Sequence, residues 1–315
     1  MPVAKVTDIA FGRLQSPDLD LAEEFLADFG MVRAARTRDV LYMRGTDAAH
    51  HLHVTHRGEP KFLGFAFYAS NEEELARLAR VEGASPVESL DEPGGGKRVR
   101  LRDPHGFQIE AVYGIEKLAL LPVRRNVVNT GPEKLRRAGE LTRLPHGPAQ
   151  VKRMGHGVIA TSDLPKTLAW YRDTFGLLCS DDVWSGEPAN LVSSFNRCDR
   201  GDDYVDHHVF FTMKGPKPGL NHFSYEVRDF DDVMMGHEHL KGKGKYKHMW
   251  GIGRHRLGSQ IFDYWCDPWG RVHEHWTDSD VLNARAAPGL IEAGKGTYAQ
   301  WGESMPARFQ TYAVT

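Results

Sequence analysis

Imidazole is the chief chemical resource of this sequence: sixteen of its 315 residues are histidine, and ten of those lie after residue 150. Two of them, His156 and His222, form with Glu274 a set whose chemistry is definite. Two imidazoles and one carboxylate on one face of a metal ion leave about three coordination positions open, the ligand pattern of mononuclear non-haem Fe(II) oxygenases. Adjacent open positions are what a reaction needs when an organic substrate and O₂ must meet on one ion. The bare spacing, 66 residues from His156 to His222 and 52 more to Glu274, is no recognised local zinc pattern. A lone histidine on a strand is more often a packed or hydrogen-bonded residue than a ligand. What singles these three out is their position in an internal repeat.

Residues 6–31, VTDIAFGRLQSPDLDLAEEFLADFGM, match residues 154–177, MGHGVIATSDLPKTLAWYRDTFGL, in pattern. Each begins with an apolar, strand-like stretch and starts a helix at Asp-Leu (Asp18-Leu19, Asp163-Leu164) that closes on Phe-Gly. Spacings of three and four align Leu21, Phe25, Leu26 and Phe29 in the first copy and Leu164, Leu168, Tyr171 and Phe175 in the second. Pro165 suits a first helical turn. Residues 63–78 parallel 220–240 as strand then helix, with Asn71/Glu74 and Asp229/Asp232 as capping pairs. Residues 102–114 parallel 266–278, each an Asp-Pro-x-Gly turn leading into a strand centred on Glu.

The overlay puts His156 opposite Phe11, His222 opposite Phe65 and Glu274 opposite Glu110. A first half with phenylalanine at two ligand columns cannot hold the metal, so one module is catalytic and the other structural. Alternation in Val272–Trp276 sends Glu274 one way and His273 and His275 the other, into structural roles. The expected organisation is an N-terminal module over 1–135, a linker over 136–149, a metal-binding module over 150–280, and a tail over 281–315 packing over the outside.

HGVIAT (156–161), GLNHFSYEV (219–227) and GIGRHRLGSQIFDYWCDPWGRVHEHW (251–276) resemble the type I extradiol ring-cleaving dioxygenases of the vicinal oxygen chelate superfamily. His255, Tyr264 nine residues on and Glu274 ten residues later match that family's order and spacing. The resemblance covers nearly the whole chain. It implies an α+β fold of two tandem modules, each a pair of βαβββ units, with the first module degenerate. It further implies Fe(II), or Mn(II), on His156, His222 and Glu274, with O₂ as co-substrate. His208, beside His207, would be the acid–base residue, and His255 and Tyr264 would hydrogen-bond the substrate oxygens. The reaction implied is meta cleavage of a catechol-type diol to a hydroxymuconic semialdehyde-type product, in a homo-oligomer of four or more subunits. Where arylacetate-type relatives carry a polar residue two positions after the first ligand, this chain has Val158, which favours alkyl- or aryl-substituted catechols.

Composition excludes other classes. A formal net charge of -2 gives no case for nucleic-acid or anionic-membrane partners. No apolar run approaches the roughly 20 residues of a membrane span, and MPVAKVTDIAFGRL has no signal-peptide core. Three scattered cysteines, Cys179, Cys198 and Cys266, point to a reducing compartment, the cytoplasm by default. GGGKR (94–98) reads as a hairpin turn, the His50, His51, His53, His56 cluster as a surface strand and loop, and KGKGKYK (241–247) as a solvated loop. Two alternatives share the scaffold. A glyoxalase-like isomerase or lyase usually brings four ligands and needs no His255/Tyr264 pair, and a non-catalytic sequestering protein lacks metal ligands.

Overall fold

The computed structural model describes residues 1–295 and 299–315. The first half runs β1 (Val6–Ser16), α1 (Leu19–Asp28), β2 (Val32–Arg36), β3 (Val40–Arg44), β4 (His53–Arg57), β5 (Lys61–Ala69), α2 (Glu72–Leu78), β6 (Glu88–Ser89), β7 (Lys97–Arg102) and β8 (Gln108–Tyr113). The second runs β9 (Val151–Thr161), α3 (Leu164–Phe175), β10 (Leu178–Ser185), β11 (Glu187–Arg197), β12 (Val205–Asp206), β13 (Phe210–Lys214), β14 (Gly219–Val227), α4 (Phe230–Lys243), β15 (Lys247–His255), β16 (Ile261–Cys266) and β17 (Val272–Thr277). The tail adds β18 (Val281–Leu282), β19 (Gly289–Glu292), β20 (Ala299–Trp301) and α5 (Ala307–Gln310).

The first sheet has the order β2-β3-β4-β1-β5-β8-β7-β6. Its centre is the antiparallel pair β1/β5, and each of these strands also has a parallel neighbour, β4 and β8. That is two βαβββ units joined at their first strands. The second sheet repeats the plan around β9/β14, with β13 and β17 as the parallel partners, in the order β19-β10-β11-β13-β9-β14-β17-β16-β15-β20. The α+β architecture of paired βαβββ units is thus what the chain adopts.

Local chemistry explains the helices. Asp18 caps α1 by accepting from the amides of Asp20 and Leu21, Asp163 caps α3 through Lys166, and Asp229 caps α4 through Asp232. Gly176 and Gly244 end α3 and α4 in the left-handed conformation. The α1 face differs slightly from expectation: Leu19, Ala22, Phe25 and Leu26 are buried, while Leu21 is exposed. One apolar core joins the two halves, mixing Phe29, Phe65 and Phe67 with Tyr171, Phe175 and Phe223. A Cβ at Gly12 would come within 2.4 Å of the Phe223 ring, so only glycine admits this contact.

Three expectations are corrected here. His50, His51 and His53 are buried, not on a surface strand. β4 lies between β3 and β1, and His53 reaches the second half, its Nδ1 2.7 Å from the Tyr225 hydroxyl. KGKGKYK is solvent-exposed as expected apart from Tyr246, but it is the end of α4, its Gly244 cap and the start of β15 rather than a loop, and Lys243 and Lys245 pair with Asp28 and Glu24 of α1. The tail does more than cover the outside: β19 extends the sheet at β10, β20 extends it at β15, and Phe309 is buried. No helix among the described residues is long and apolar enough to cross a membrane.

Candidate metal centre and active site

His156 lies on β9, His222 on β14 and Glu274 on β17, three strands adjacent in that order. Ser224 pairs with His156 on one side and Glu274 on the other, and His222 stands two residues before it. Strand alternation then turns all three side chains to one face of the sheet. Their donor atoms form a triangle: His156 Nε2 to Glu274 Oε2 is 3.1 Å, His222 Nε2 to Glu274 Oε2 is 3.4 Å, and the two Nε2 atoms are 3.4 Å apart.

The register also corrects the overlay. Glu274 pairs with Ser224 and Tyr264, and Glu110 pairs with Ala66 and Arg100. Counting back from Ser224 and Ala66, the counterpart of His222 is Gly64. Phe65 instead matches Phe223, and both belong to the shared core. Phe11 remains opposite His156, since Gly12 and Gly157 pair with these two phenylalanines. The first half thus has an apolar ring and a glycine at two ligand columns. Its carboxylate, Glu110, accepts from Arg13.

The residues fit a divalent ion. Glu274 is fully buried, yet neither of its oxygens has a hydrogen-bond partner among the described residues. A buried carboxylate without such partners needs a cation. Edges slightly above 3 Å suit ligand atoms about 2.1 Å from an ion and at right angles to each other. Burial opposes ionisation of Glu274, but the facing imidazoles hold its carboxyl well below the ordinary carboxylate range. Burial, against the pull of Glu274, takes His222 down to about 4, which keeps this ring neutral as a ligand must be. Asn221, which the sequence reading missed, supports it: its Oδ1 lies 2.7 Å from His222 Nδ1, so Nδ1 carries the proton and Nε2 is free to ligate. The Asn221 amide donates in turn to the carbonyls of Phe309 (3.3 Å) and Tyr312 (2.8 Å), tying the tail to the triad.

The triad opens onto a cavity of about 410 Å³. His208, His255 and Tyr264 line it. His255 Nε2 is 2.8 Å from the Tyr264 hydroxyl, and Tyr264 stands opposite Glu274 in the β16/β17 register. Burial and the Glu274 charge push the Tyr264 hydroxyl well above its usual pKa, so it stays a donor. The His208 ring centre is 4.2 Å from that of His156, and burial with the neighbouring imidazoles draws its pKa well down. His207 stands behind it: its Nδ1 is 3.1 Å from His208 Nδ1, and its Nε2 is 2.8 Å from Asp181 Oδ2. The other walls are largely apolar, from Val158, Phe195, Phe211, Trp250, Met305 and Phe309. Phe309 stacks on His222 with ring centres 5.8 Å apart. His273 and His275 face away: His275 stacks on Phe29 at 3.7 Å, and His273 packs against Phe25.

No family model matches the chain. It is 29% identical over 304 residues to metapyrocatechase 2 of Cupriavidus necator, covering 94% of this chain and 89% of that protein. It is 25% identical to the manganese-dependent 2,3-dihydroxybiphenyl 1,2-dioxygenase of Geobacillus genomosp. 3, over 84% of this chain and 82% of that one. It is 27% identical to an iron-dependent extradiol dioxygenase of Rhodococcus jostii, over 84% and 87%. Among solved structures, a Mn(II)-bound glyoxalase from Novosphingobium aromaticivorans superposes with a TM-score of 0.81 at 23% identity, over 98% of this chain and 95% of the other. Homoprotocatechuate 2,3-dioxygenase from Brevibacterium fuscum gives a TM-score of 0.81 at 16% identity, over 99% and 94%. In sequence the chain is similar to extradiol ring-cleaving dioxygenases along most of its length, and it shares the fold of solved extradiol dioxygenase and glyoxalase structures.

Proposed function

We propose that this protein opens the ring of an alkyl- or aryl-substituted catechol beside its hydroxyls, using O₂ at a divalent ion held by His156, His222 and Glu274. The observation that carries the reading is the three-donor triangle facing a cavity in which His208, His255 and Tyr264 converge. An ion held by His156, His222 and Glu274 would supply acidification of the substrate hydroxyls and a redox path between ring and O₂. The same donors suit Fe(II) and Mn(II); Fe(II) is the ion proposed.

The remaining work falls to side chains. His208, kept neutral by burial, accepts a proton from the substrate hydroxyl and returns it as the ring opens. Tyr264 and His255, hydrogen-bonded to each other, donate to oxygen atoms where negative charge develops. The apolar walls exclude water and hold the ring. Val158, two residues beyond His156 on the same strand face, sets an apolar surface beside the triad. Lys214 and Arg256 line the cavity but are themselves exposed, which leaves the interior suited to an uncharged substituent. The glyoxalase-like reading calls for a fourth protein ligand, and the donor cluster among the described residues has three members.

The test is oxygen uptake by anaerobically purified, Fe(II)-loaded protein across a panel of substituted catechols, with absorbance followed for a yellow ring-opened product. Equimolar uptake and product support the reading. Absence of both, with iron shown to be bound, rejects it.

A further inference from the structure

β16 carries Asp263 immediately before Tyr264, and alternation sends the two side chains to opposite faces of the strand. Tyr264 faces the cavity. Asp263 faces α4, where it meets two histidines from different elements. His248 of β15 brings Nε2 to 2.8 Å from Asp263 Oδ1, and His237 of α4 brings Nδ1 to 3.2 Å from Oδ2. Their rings stand at 89° with centres 5.0 Å apart. The three donor atoms lie within 4.8 Å of one another.

This cluster sets a fully buried carboxylate between two imidazoles. Asp263 is fully buried, and its ion-pair partners among the described residues are these two imidazoles, with no lysine or arginine. Either a proton on an imidazole, which Asp263 favours on His237, or a bound cation balances this buried carboxylate. Trp265 Nε1 donates to Asp263 Oδ2 at 2.6 Å, fixing the carboxylate in the way that outer hydrogen bonds orient metal ligands. The His237 and His248 side chains are 17% and 30% exposed, so an ion has a path from solvent.

We propose that His237, His248 and Asp263 form a second metal site, for Zn²⁺ or a similar divalent transition ion, on the face of β16 opposite the catechol cavity. Two imidazoles and one carboxylate are borderline donors that favour zinc, cobalt or nickel over calcium and magnesium, which prefer all-oxygen shells. Three protein ligands leave a fourth, solvent-facing position. A ligating ring must have its donor nitrogen free of a proton, so protons compete with the ion and binding weakens as pH falls. The site stands apart from the proposed reaction and does not depend on it.

The test is zinc stoichiometry on the full chain by equilibrium dialysis against micromolar Zn²⁺, followed by elemental analysis. Wild type should retain one more ion per chain than His237→Gln/His248→Gln, and Glu274→Gln should still bind at the second site. Equal retention by wild type and the double variant overturns the proposal. If circular dichroism finds the double variant unfolded, the partly exposed His248→Gln alone decides. At least about tenfold weaker binding is expected from it, and unchanged affinity overturns the proposal. Zinc-soaked crystals provide an independent reading: an anomalous peak among the three side chains supports the site, and its absence at a zinc concentration that fills the triad rejects it.

Discussion

Arg13 Nε donates to Glu110 Oε1 across 2.7 Å, at the point of the first module that corresponds to the proposed metal centre of the second. The guanidinium is 3% exposed and the carboxylate 1%, and Arg13 also donates to Glu92 at 2.8 Å. Burial weakens the Arg13 charge, but Glu110 and Glu92 more than restore it. A fixed organic cation does in one module what a bound ion is proposed to do in the other. Arg13→Met should therefore destabilise the protein by about 3 kcal/mol, because it leaves the buried Glu110 with only Gln108 and the more distant Arg98 as partners among the described residues. Arg13→Met/Glu110→Met should recover much of that loss. Chemical denaturation of the single and double variants checks it, and a double variant as weak as the single would contradict it.

The chain Asp181–His207–His208 makes a prediction about tautomers. If His207 Nε2–H donates to Asp181, His207 Nδ1 must accept, so His208 Nδ1 donates and His208 Nε2 is left as a base toward the cavity. His208→Phe should lower kcat by about 10²–10⁴ with metal still bound. Asp181→Asn should lower kcat about tenfold with little change in KM, and it should alter the ¹⁵N shifts of both imidazoles. Unchanged shifts would break the argument.

Asn221 supports His222 and the tail at once. Asn221→Leu should reduce metal affinity by about 10–100-fold and loosen the segment around Phe309. Metal titration, together with limited proteolysis of the tail, measures both effects. Full metal affinity in this variant would remove Asn221 from the centre.

Buried histidines of the first module set a pH dependence. Burial, with the Arg13 charge, takes His51 down to about 3 and His56 down to about 4. Unfolded histidine binds a proton near 6.5, so below that pH the unfolded chain takes up protons that the native one refuses. The contribution is complete above pH 6.5 and is lost as pH falls toward those folded values. For His51 the loss between pH 6.5 and 5 is roughly 2 kcal/mol. Urea midpoints should fall over that range, and His51→Leu should make the fall shallower. A flat profile in wild type would refute the account.

How much of this was legible in the sequence follows from how each feature is encoded. The βαβββ plan and the His156, His222, Glu274 columns were readable because the duplication repeats cap, helix face and turn at matching points. The pairing of His222 with Phe65 failed by one residue. Such a slip exchanges one face of a strand for the other, and no periodic cue near Gly64 resists it. The register around His222 is shifted between Leu220 and His222, which further hides the true match. Asp181 and Asn221 act across 26 and 91 residues of chain, distances at which local pattern carries no signal. The buried histidines misled for a related reason. Their polarity reads as surface, while their burial comes from contacts such as His53 with Tyr225, 172 residues away.

Phe309 and Met305 bring a further consequence. The cavity wall that stacks on His222 is supplied by a segment outside the duplicated strands, attached through Asn221 and the short strand β20. The pocket lining can therefore change while the three strands that carry the triad keep their register. Exchanging the residues after Trp301 between homologues would transplant a pocket lining as a unit.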